Sequence, residues 1–254
     1  MTVKTINWVT IASVKTLGWL ATASVKTING DSVSNWMANW LVAYYKFDES
    51  SGNATDSKWG FTLTNNGTCT YGAGMLNNSV TTTTVGTKYM STTSDLGLNG
   101  SSQNFTFAWW IRPTATIATQ QVFFDHTDAG QHNNIALDWF WWNARLIRTR
   151  LWVASDIVSV AQTFSIATVY CIVCKYDWST LSLRINNWTA TTVSSTGNWS
   201  SGGTDWFAVG AYIWGGTWYL WESDEFAIWN RSITSAEETL FYNGGSPLPY
   251  ASYT

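Results

Sequence analysis

Charged residues are scarce in this chain: they make up 11% of its 254 residues, and the formal net charge is -3. The 13 lysines and arginines form no block, which argues against a surface that follows nucleic-acid phosphates. Arg145, Arg148 and Arg150 share one segment, which a solvated strand face explains. No apolar run approaches the roughly 20 residues that a membrane-spanning helix requires. We therefore expect neither nucleic-acid binding nor membrane insertion.

We also expect no export signal at the start of this sequence, because Lys15 interrupts the one candidate apolar region there. Cysteine is rare and odd in number, with Cys69, Cys171 and Cys174. The last two have the spacing of a redox motif, but they lie in a strand-like run where residues three apart fall on opposite faces. We predict free thiols, buried or partly exposed.

Serine, threonine and asparagine, in contrast, are abundant and together make up roughly a third of the chain. They give a polar surface with little charge, which is typical of β-sheet proteins. A chain of this length can bury a substantial core. It fits one β-sandwich of about 200 to 250 residues.

The C-terminal region reads as a strand followed by one short helix. Residues Glu225 to Trp229 alternate and are rich in aromatic and branched side chains, which favours a half-buried strand. Ser235 is a candidate N-cap with Glu238 three residues later, the spacing of a capping box. Asn243-Gly244-Gly245 then predicts the end of a helix over Ser235 to Tyr242.

A matching pattern opens the main part of the chain. Residues Leu41 to Ser57 read LVAYYKFDESSGNATDS, and the C-terminal strand and helix read DEFAIWNRSITSAEETLFYN. Two internal segments, Phe105 to Pro113 and Tyr170 to Asn187, agree with them in order. Together these segments resemble the laminin-G-like branch of the concanavalin A-like lectin/glucanase superfamily. The resemblance implies an all-β fold, a two-sheet antiparallel jelly-roll sandwich over residues 36–245, with a C-terminal tail at 246–254.

The first 30 residues are a repeat with a period of 11, in which VKTI, VKTL and VKTI recur at Val3, Val14 and Val25. The third copy ends in Asn29-Gly30, a strong hairpin signal, so short strands with tight turns are expected. Three such units cannot bury a core alone. We predict that residues 1–35 anchor or assemble the protein, as a homo-oligomer (a trimer) or by docking onto a virion lattice.

Tryptophan is far more frequent than usual, with 19 residues, and several stand where the backbone favours glycine. Trp8 and Trp19 are equivalent in the repeat to Gly30. Trp178 and Trp188 occupy expected hairpin turns, where positive φ excludes bulky side chains, and Trp59 and Trp221 look similar. Either these are surface aromatics that stack on sugars, or some are glycines in the source organism, through a reassigned UGA codon.

The resemblance also allows a test for catalysis. Glucanases of this fold carry three carboxylates on one strand, as E-x-D-x-x-E, and use two of them as nucleophile and acid/base. Here Glu222 and Asp224 fill the first two positions, but the third is Ala227. Glu225 is expected on the opposite face of the strand. His126 and His132 lie in a polar stretch with no catalytic motif. We therefore predict that the protein is not an enzyme.

A calcium site is the most plausible inorganic chemistry, because the resemblance brings together Asp48, Asp56 and Asp224, and hard oxygen ligands suit Ca²⁺. The alternative is that Asp48 and Asp56 cap turns. The stretch Asp125 to Asn134 is a second, weaker oxygen-rich loop. As ligand-binding candidates we name four residues: Asp125, Asp128, Trp214 and Trp218.

These features favour a binding and assembly protein at a virion or extracellular surface. The first hypothesis is a phage virion or tail-fibre component that displays a jelly roll binding a glycan or receptor. The second is a bacterial cell-surface adhesin, and the third a degenerate glycanase. The missing carboxylate at Ala227 separates the third from the first two.

Overall fold

The structure, a computed structural model, describes residues 27–28, 31–32, 37–82, 88–94, 96, 104–115, 121–128, 131–140, 144–150, 157–161, 164–194, 206–211 and 221–253. Two antiparallel sheets dominate these residues and enclose one aromatic core. The jelly-roll-like sandwich predicted from the sequence is thereby confirmed.

The front sheet, as we call the first of the two, has eight strands in the order β13-β12-β11-β10-β17-β8-β5-β4. In chain order its strands are β4 (Ala54–Thr55), β5 (Thr62–Asn66), β8 (Tyr89–Thr92), β10 (Gln121–Asp128), β11 (Gln131–Phe140), β12 (Ala144–Arg150), β13 (Ile157–Ala161) and β17 (Trp206–Val209).

The back sheet has the order β16-β15-β14-β9-β18-β7-β6, and β3 also pairs with β18. Its strands are β3 (Leu41–Tyr45), β6 (Thr70–Ala73), β7 (Asn78–Thr82), β9 (Phe105–Pro113), β14 (Tyr170–Tyr176), β15 (Thr180–Ile185), β16 (Thr191–Ser194) and β18 (Trp221–Trp229). Strand β18 pairs with β9 on one edge, and with β7 and then β3 on the other.

Strand β9 explains why the back sheet reads as continuous apolar sequence. Phe107 and Trp109 alternate into the core between the sheets, whereas Ala108 and Trp110 belong to a second buried cluster on the other face. Both faces of this sheet are therefore covered, and alternation of polar residues is lost. Cys171 and Cys174 divide in the same way between the two clusters, and both are free thiols, as predicted.

The second cluster, called the outer cluster here, is formed where the C-terminal residues pack on the back sheet. Helix α1 (Ser235–Tyr242) contributes Phe241, and the segment after the helix contributes Tyr253. Short 3-10 turns at Asn243–Gly245 and Tyr250–Ser252 connect them. The residues after 245, expected to be a tail, are thus part of the packed domain.

The helix itself begins and ends where the sequence predicted, but its cap lies one residue earlier. Thr234, not Ser235, is the N-cap, and its side chain accepts a hydrogen bond from the amide of Glu237. Glu237 in turn accepts from the Thr234 amide at 2.7 Å. Arg231 holds the Glu237 carboxylate, which selects this register over the one with Glu238.

The N-terminal repeat is described only at its end. Strands β1 (Thr27–Ile28) and β2 (Asp31–Ser32) pair as antiparallel partners on either side of Asn29-Gly30. The first two repeat units, with Trp8 and Trp19, lie outside the described residues. Within the part of the chain that is described, no helix is both long and apolar enough to cross a membrane.

Candidate functional site

A β-bulge in strand β18 brings two acidic residues together. The pairing with β9 shifts register between Asp224 and Ala227, and Glu225 has a φ of 48°. Asp224 is paired with Trp110 of the outer cluster, and Glu225 contacts Tyr44 of the same cluster. The expectation that Glu225 lies on the face opposite Asp224 is therefore wrong, because the extra residue of a bulge interrupts strict alternation.

Asp224 is fully buried and only half satisfied. Its Oδ2 accepts hydrogen bonds from the amides of Met75 at 2.9 Å and Leu76 at 2.8 Å. Gly74 makes this approach possible, because a Cβ there would lie 2.8 Å from Asp224 Oδ2 and 2.6 Å from the Asn78 backbone. Asp224 Oδ1 is buried without a hydrogen-bond partner. Burial raises the pKa of Asp224 to about 7.

Glu225 is buried beside it, and its Oε2 accepts a hydrogen bond from the Tyr44 hydroxyl. Its Oε1 has no partner. Burial raises the pKa of Glu225 to about 8, and the charges of Asp224 and Asp48 act in the same direction. Asp48 accepts from the Asn78 amide at 3.2 Å and lies 3.8 Å from Lys46 Nζ. We call Asp48, Asp224 and Glu225 the acidic bulge.

Asp56, the third residue of the expected calcium site, stabilises a turn of the backbone. Its carboxylate accepts hydrogen bonds from four backbone amides: Tyr44 at 2.6 Å, Lys58 at 2.9 Å, Trp59 at 2.5 Å and Gly60 at 3.1 Å. These bonds use its lone pairs to build a turn. Among the described residues no three His, Cys, Asp or Glu side chains are grouped as metal ligands. Calcium fits only in part, through the free oxygens of Asp224 and Glu225.

The positions of the glucanase carboxylates are occupied by structural groups. Glu222 forms an ion pair with Arg112, whose Nη2 also donates to the Ala73 carbonyl at 2.8 Å. Asp224 is buried on backbone amides, as described above. Ala227 is fully buried in the outer cluster. This strand thus offers no pair of carboxylates on opposite sides of a cleft, which glycoside hydrolysis requires.

The oxygen-rich stretch at Asp125 is a hairpin of two long strands, β10 and β11, and not a loop. Asp125 is fully buried, and Asp128 pairs with Gln131 at the end of the hairpin. Sequence reasoning missed this because the stretch is uniformly polar. Trp214 and Trp218, the other ligand-binding candidates, lie outside the described residues.

The register of the front sheet places Asp125 in a row of paired residues that crosses six strands. Asp125 is paired with Ala208 on one side and Asn134 on the other. Extending these pairs in both directions gives Thr64, Ser91, Ala208, Asp125, Asn134 and Arg150. Their chain neighbours Leu63, Phe124 and Phe207 belong to the core. The described side chains of this row, which are those of Thr64, Ser91, Ala208 and Asp125, therefore point away from this core. Those of Ser91, Ala208 and Asp125 are buried all the same.

A second surface feature is a groove of about 540 Å³ between the β3 entry and the turn built by Asp56. Trp40 and Trp59 border it with indoles that are 69% and 68% exposed. Lys58 Nζ lies 5.5 Å from the centre of the Trp59 ring. Leu41, Val42, Phe61 and Leu96 contribute to an apolar lining.

Comparison with solved structures finds the same fold at low sequence identity. Domain 4 of AbnA, a GH43 extracellular arabinanase from Geobacillus stearothermophilus solved with arabinotriose, is 20% identical with a TM-score of 0.62, over 80% of this chain and 98% of that one. The binding domain of Paraclostridial Mosquitocidal Protein 1 is 13% identical with a TM-score of 0.63. The Botulinum neurotoxin serotype G binding domain is 14% identical with a TM-score of 0.60.

Coverage differs between these relatives. The match to the mosquitocidal binding domain takes in 82% of this chain and 53% of that one. The match to the neurotoxin binding domain takes in 80% of this chain and 50% of that one, so this chain spans about half the length of each. No curated protein sequence matches the chain. The sequence family described as the concanavalin A-like lectin/glucanases superfamily, in its laminin-G form, matches residues 83–237. That match spans more than half of the chain, which belongs to this superfamily.

Proposed function

We propose that this protein is a non-catalytic binding protein whose jelly roll recognises a glycan on a cell surface. The observation that carries this proposal is what occupies the three positions of strand β18 at which glucanases of this fold have carboxylates. Its first acid is paired with Arg112, its second is buried on amides, and alanine replaces the third. Strand β18 therefore does not carry the three-carboxylate pattern that glucanases of this fold use, which supports a binding role.

The relatives agree with a binding role. The AbnA domain was solved with arabinotriose, and a neurotoxin DC binding domain of similar fold was solved with SialylT. Another related structure describes type C neurotoxin entry as dependent on two ganglioside molecules. A further structure contains rat synaptotagmin II, a protein partner. These ligands belong to those proteins, and the larger share of glycans among them supports a glycan ligand for this chain.

The display of this domain on a phage virion or tail fibre is our preferred biological setting. The N-terminal repeat carries that proposal, because the short strands that its sequence predicts would leave edges that pair readily with other chains. A trimer or a virion lattice would satisfy those edges. A bacterial surface adhesin is the alternative, and the identity of the neighbouring genes distinguishes the two.

Binding and hydrolysis can be separated with the intact chain. The purified protein is applied to a panel of neutral, sialylated and uronate oligosaccharides, and the bound glycans are then incubated with it and assayed for new reducing ends. We expect retention of at least one glycan and no reducing ends. Release of reducing ends, abolished by Glu222→Gln, would overturn the non-catalytic assignment. Failure to retain any glycan, with binding to a cell-surface protein instead, would replace the glycan by a protein receptor.

A further inference from the structure

We infer that a neutral oligosaccharide binds in a groove on the outer face of the back sheet, between helix α1 and Trp188. This inference rests on the proposed glycan-binding function and gives it a place and a ligand class. The groove has a volume of about 380 Å³, within the roughly 300–1,000 Å³ that is usual for small-molecule sites. Residues of β14, β15 and β16 line it, together with α1 and the turn after β15. We call it the back-sheet groove.

The register of the strands places the floor of this groove on the face that carries the outer cluster. Lys175 is paired with Ser182, and Ser182 with Thr192, so these three residues form one row across the strands. Arg184, two residues from Ser182, is paired with Val173 of the outer cluster. Directly paired residues, and residues two apart in a strand, share one face of a sheet. The C-terminal region covers this face over β9 and β18, and the groove occupies it over β15 and β16.

The charged groups of the back-sheet groove are matched in number. Among the described residues that line it, Lys175 and Arg184 are the cations, and Asp177 and Glu238 are the anions. Glu238 is buried, and its Oε1 is paired with Lys175 Nζ, while its Oε2 lies 2.6 Å from Arg184 Nη1. Lys175 Nζ also donates to the Ile233 carbonyl at 2.9 Å. The groove thus offers polar groups without a net charge, and this favours an uncharged ligand over an ionic one.

Hydrogen-bonding groups for a ligand lie along the floor. Ser182 and Thr192 supply hydroxyls, which can both donate and accept. Asp177 is exposed, and its Oδ1 accepts from the Thr180 amide at 2.9 Å. No described residue donates to its second oxygen, Oδ2, which can therefore accept from a ligand hydroxyl. The hydroxyls of a sugar are donors and acceptors as well, so they match this set of groups.

Trp188 supplies apolar surface on which a sugar ring can stack. It lines the groove and is 50% exposed. The turn that carries it is fixed to β14, because the Asn186 amide donates to the Cys171 carbonyl at 2.7 Å and Asn186 Oδ1 accepts from the Cys171 amide at 2.9 Å. Positive φ in this turn occurs at Asn186 and not at Trp188, so the backbone accepts a tryptophan there, contrary to the expectation from the sequence. An indole held in place in this way loses little freedom when a ligand binds.

The groove at Trp40 and Trp59 is less suited to a sugar. Its lining is mainly apolar, and among the described residues that border it only Lys58 and Asn230 have polar side chains apart from the two indoles. Most hydroxyls of a bound sugar would lose their hydration there without gaining a partner, which costs free energy. The back-sheet groove, which combines one indole with several polar groups, is therefore the better site for such a ligand.

The test measures binding of oligosaccharides to variants of the full chain. The neutral probes are arabinotriose, cellotriose and galactotriose, and the acidic probes are trigalacturonate and sialyllactose. Trp188→Ala should weaken binding of the neutral probes at least about fivefold, because it removes the stacking surface. Trp178→Ala is the matched control, since Trp178 is 53% exposed in the turn before β15 and is not among the described residues of the groove. Trp59→Ala alters the other groove and should also leave binding unchanged.

A second pair of variants tests the floor. Thr192→Val removes a hydroxyl from the groove with little change of shape and should weaken binding about two- to tenfold. Thr191→Val makes the same change on the opposite face of β16 and should leave binding as it is. Lys175, Arg184 and Glu238 stay intact in this test, because removal of one partner would leave a buried charge unpaired and destabilise the fold. Thermal midpoints establish that all variants are folded.

The outcomes are distinguishable. Weaker binding by Trp188→Ala and Thr192→Val, with the three controls unchanged, supports the back-sheet groove. If either folded variant binds as the parent does, or if Trp59→Ala is the one that loses binding, the site is wrong while glycan binding stands. Tighter binding of the acidic probes than of the neutral ones would overturn the ligand class. A parent that binds none of the neutral probes but retains other glycans would overturn this inference alone; one that retains no glycan at all would overturn the proposed function too.

Discussion

Asp56 accepts a hydrogen bond from the backbone amide of Tyr44 at 2.6 Å, and this bond ties the turn after β4 to the strand β3. Three further amides, at 58, 59 and 60, complete its coordination by the chain itself. Asp56 therefore fixes the local backbone through hydrogen bonds from four amides.

We predict that Asp56→Ala destabilises the protein by about 2–4 kcal/mol, since four amides lose a charged acceptor. Urea unfolding measures the change. Asp177→Ala, in an exposed turn, is the control and should cost about 1 kcal/mol or less. Calcium should stabilise Asp56→Ala as much as it stabilises the parent chain. Loss of the calcium effect in this variant would show that Asp56 is a metal ligand after all.

The acidic bulge predicts an unusual pH dependence. Asp224 and Glu225 have folded pKa values of about 7 and about 8, above the ordinary value near 4. Between those limits the folded state binds more protons than the unfolded state, so stability falls as pH rises. We expect the free energy of unfolding to drop by on the order of 2–4 kcal/mol from pH 5 to pH 9 in chelator. Asp224→Asn and Glu225→Gln should each flatten the profile.

Calcium should reverse this trend. A Ca²⁺ ion at this site would bind the ionised carboxylates, so added Ca²⁺ should raise the thermal midpoint at pH 8 and have little effect at pH 5. Differential scanning calorimetry with calcium and with chelator measures both. Midpoints that coincide at pH 8 would contradict a calcium site at the bulge.

The helix cap offers a direct comparison of adjacent residues. Thr234→Ala removes the hydroxyl that accepts from the Glu237 amide and should cost about 1 kcal/mol. Ser235→Ala changes the first helical residue and should be nearly neutral or slightly stabilising. Chemical denaturation of the two variants provides the measurement. Equal destabilisation by the two substitutions would contradict the assignment of Thr234 as the N-cap.

The N-terminal repeat is predicted to drive assembly. Deleting residues 1–35 removes the three units and should leave a folded, monomeric jelly roll, because the packed domain begins with Met37 and Leu41. Light scattering of the full chain and of the deletion gives the oligomeric state. A truncated protein that keeps the oligomer of the full chain would place the interface in the jelly roll.

Much of the fold could be predicted because local patterns and fold agree. The bounds of α1, the alanine at 227 and the opposite faces of Cys171 and Cys174 all follow from spacing within one segment. The bulge at Glu225 could not be predicted, because it arises from how β18 matches β9, more than a hundred residues earlier in the chain. The cap shifted for a similar reason, since Arg231 selects Glu237.

The residues of the candidate site were harder to predict from the sequence, because the burial of a side chain depends on the whole fold. Asp125 lies in a polar stretch that reads as a loop, yet the pairing of β10 with β11 and β17 buries it. Trp178 and Trp221 look alike in sequence, and only the backbone angle and the packing against Phe164 separate them.

The pairing of β3 with β18 has a consequence for synthesis on the ribosome. Tyr45 of β3 is the partner of Phe226 of β18. A strand near the beginning of the domain therefore cannot pair until one of the last strands has left the ribosome. Until then, the edge of β9 that β18 will cover stays open, and its aromatic residues are exposed. Such long-range closure makes folding slow and exposes the nascent chain to aggregation. We expect the domain to complete its folding only after β18 has left the ribosome, so that its production depends strongly on temperature and on chaperones.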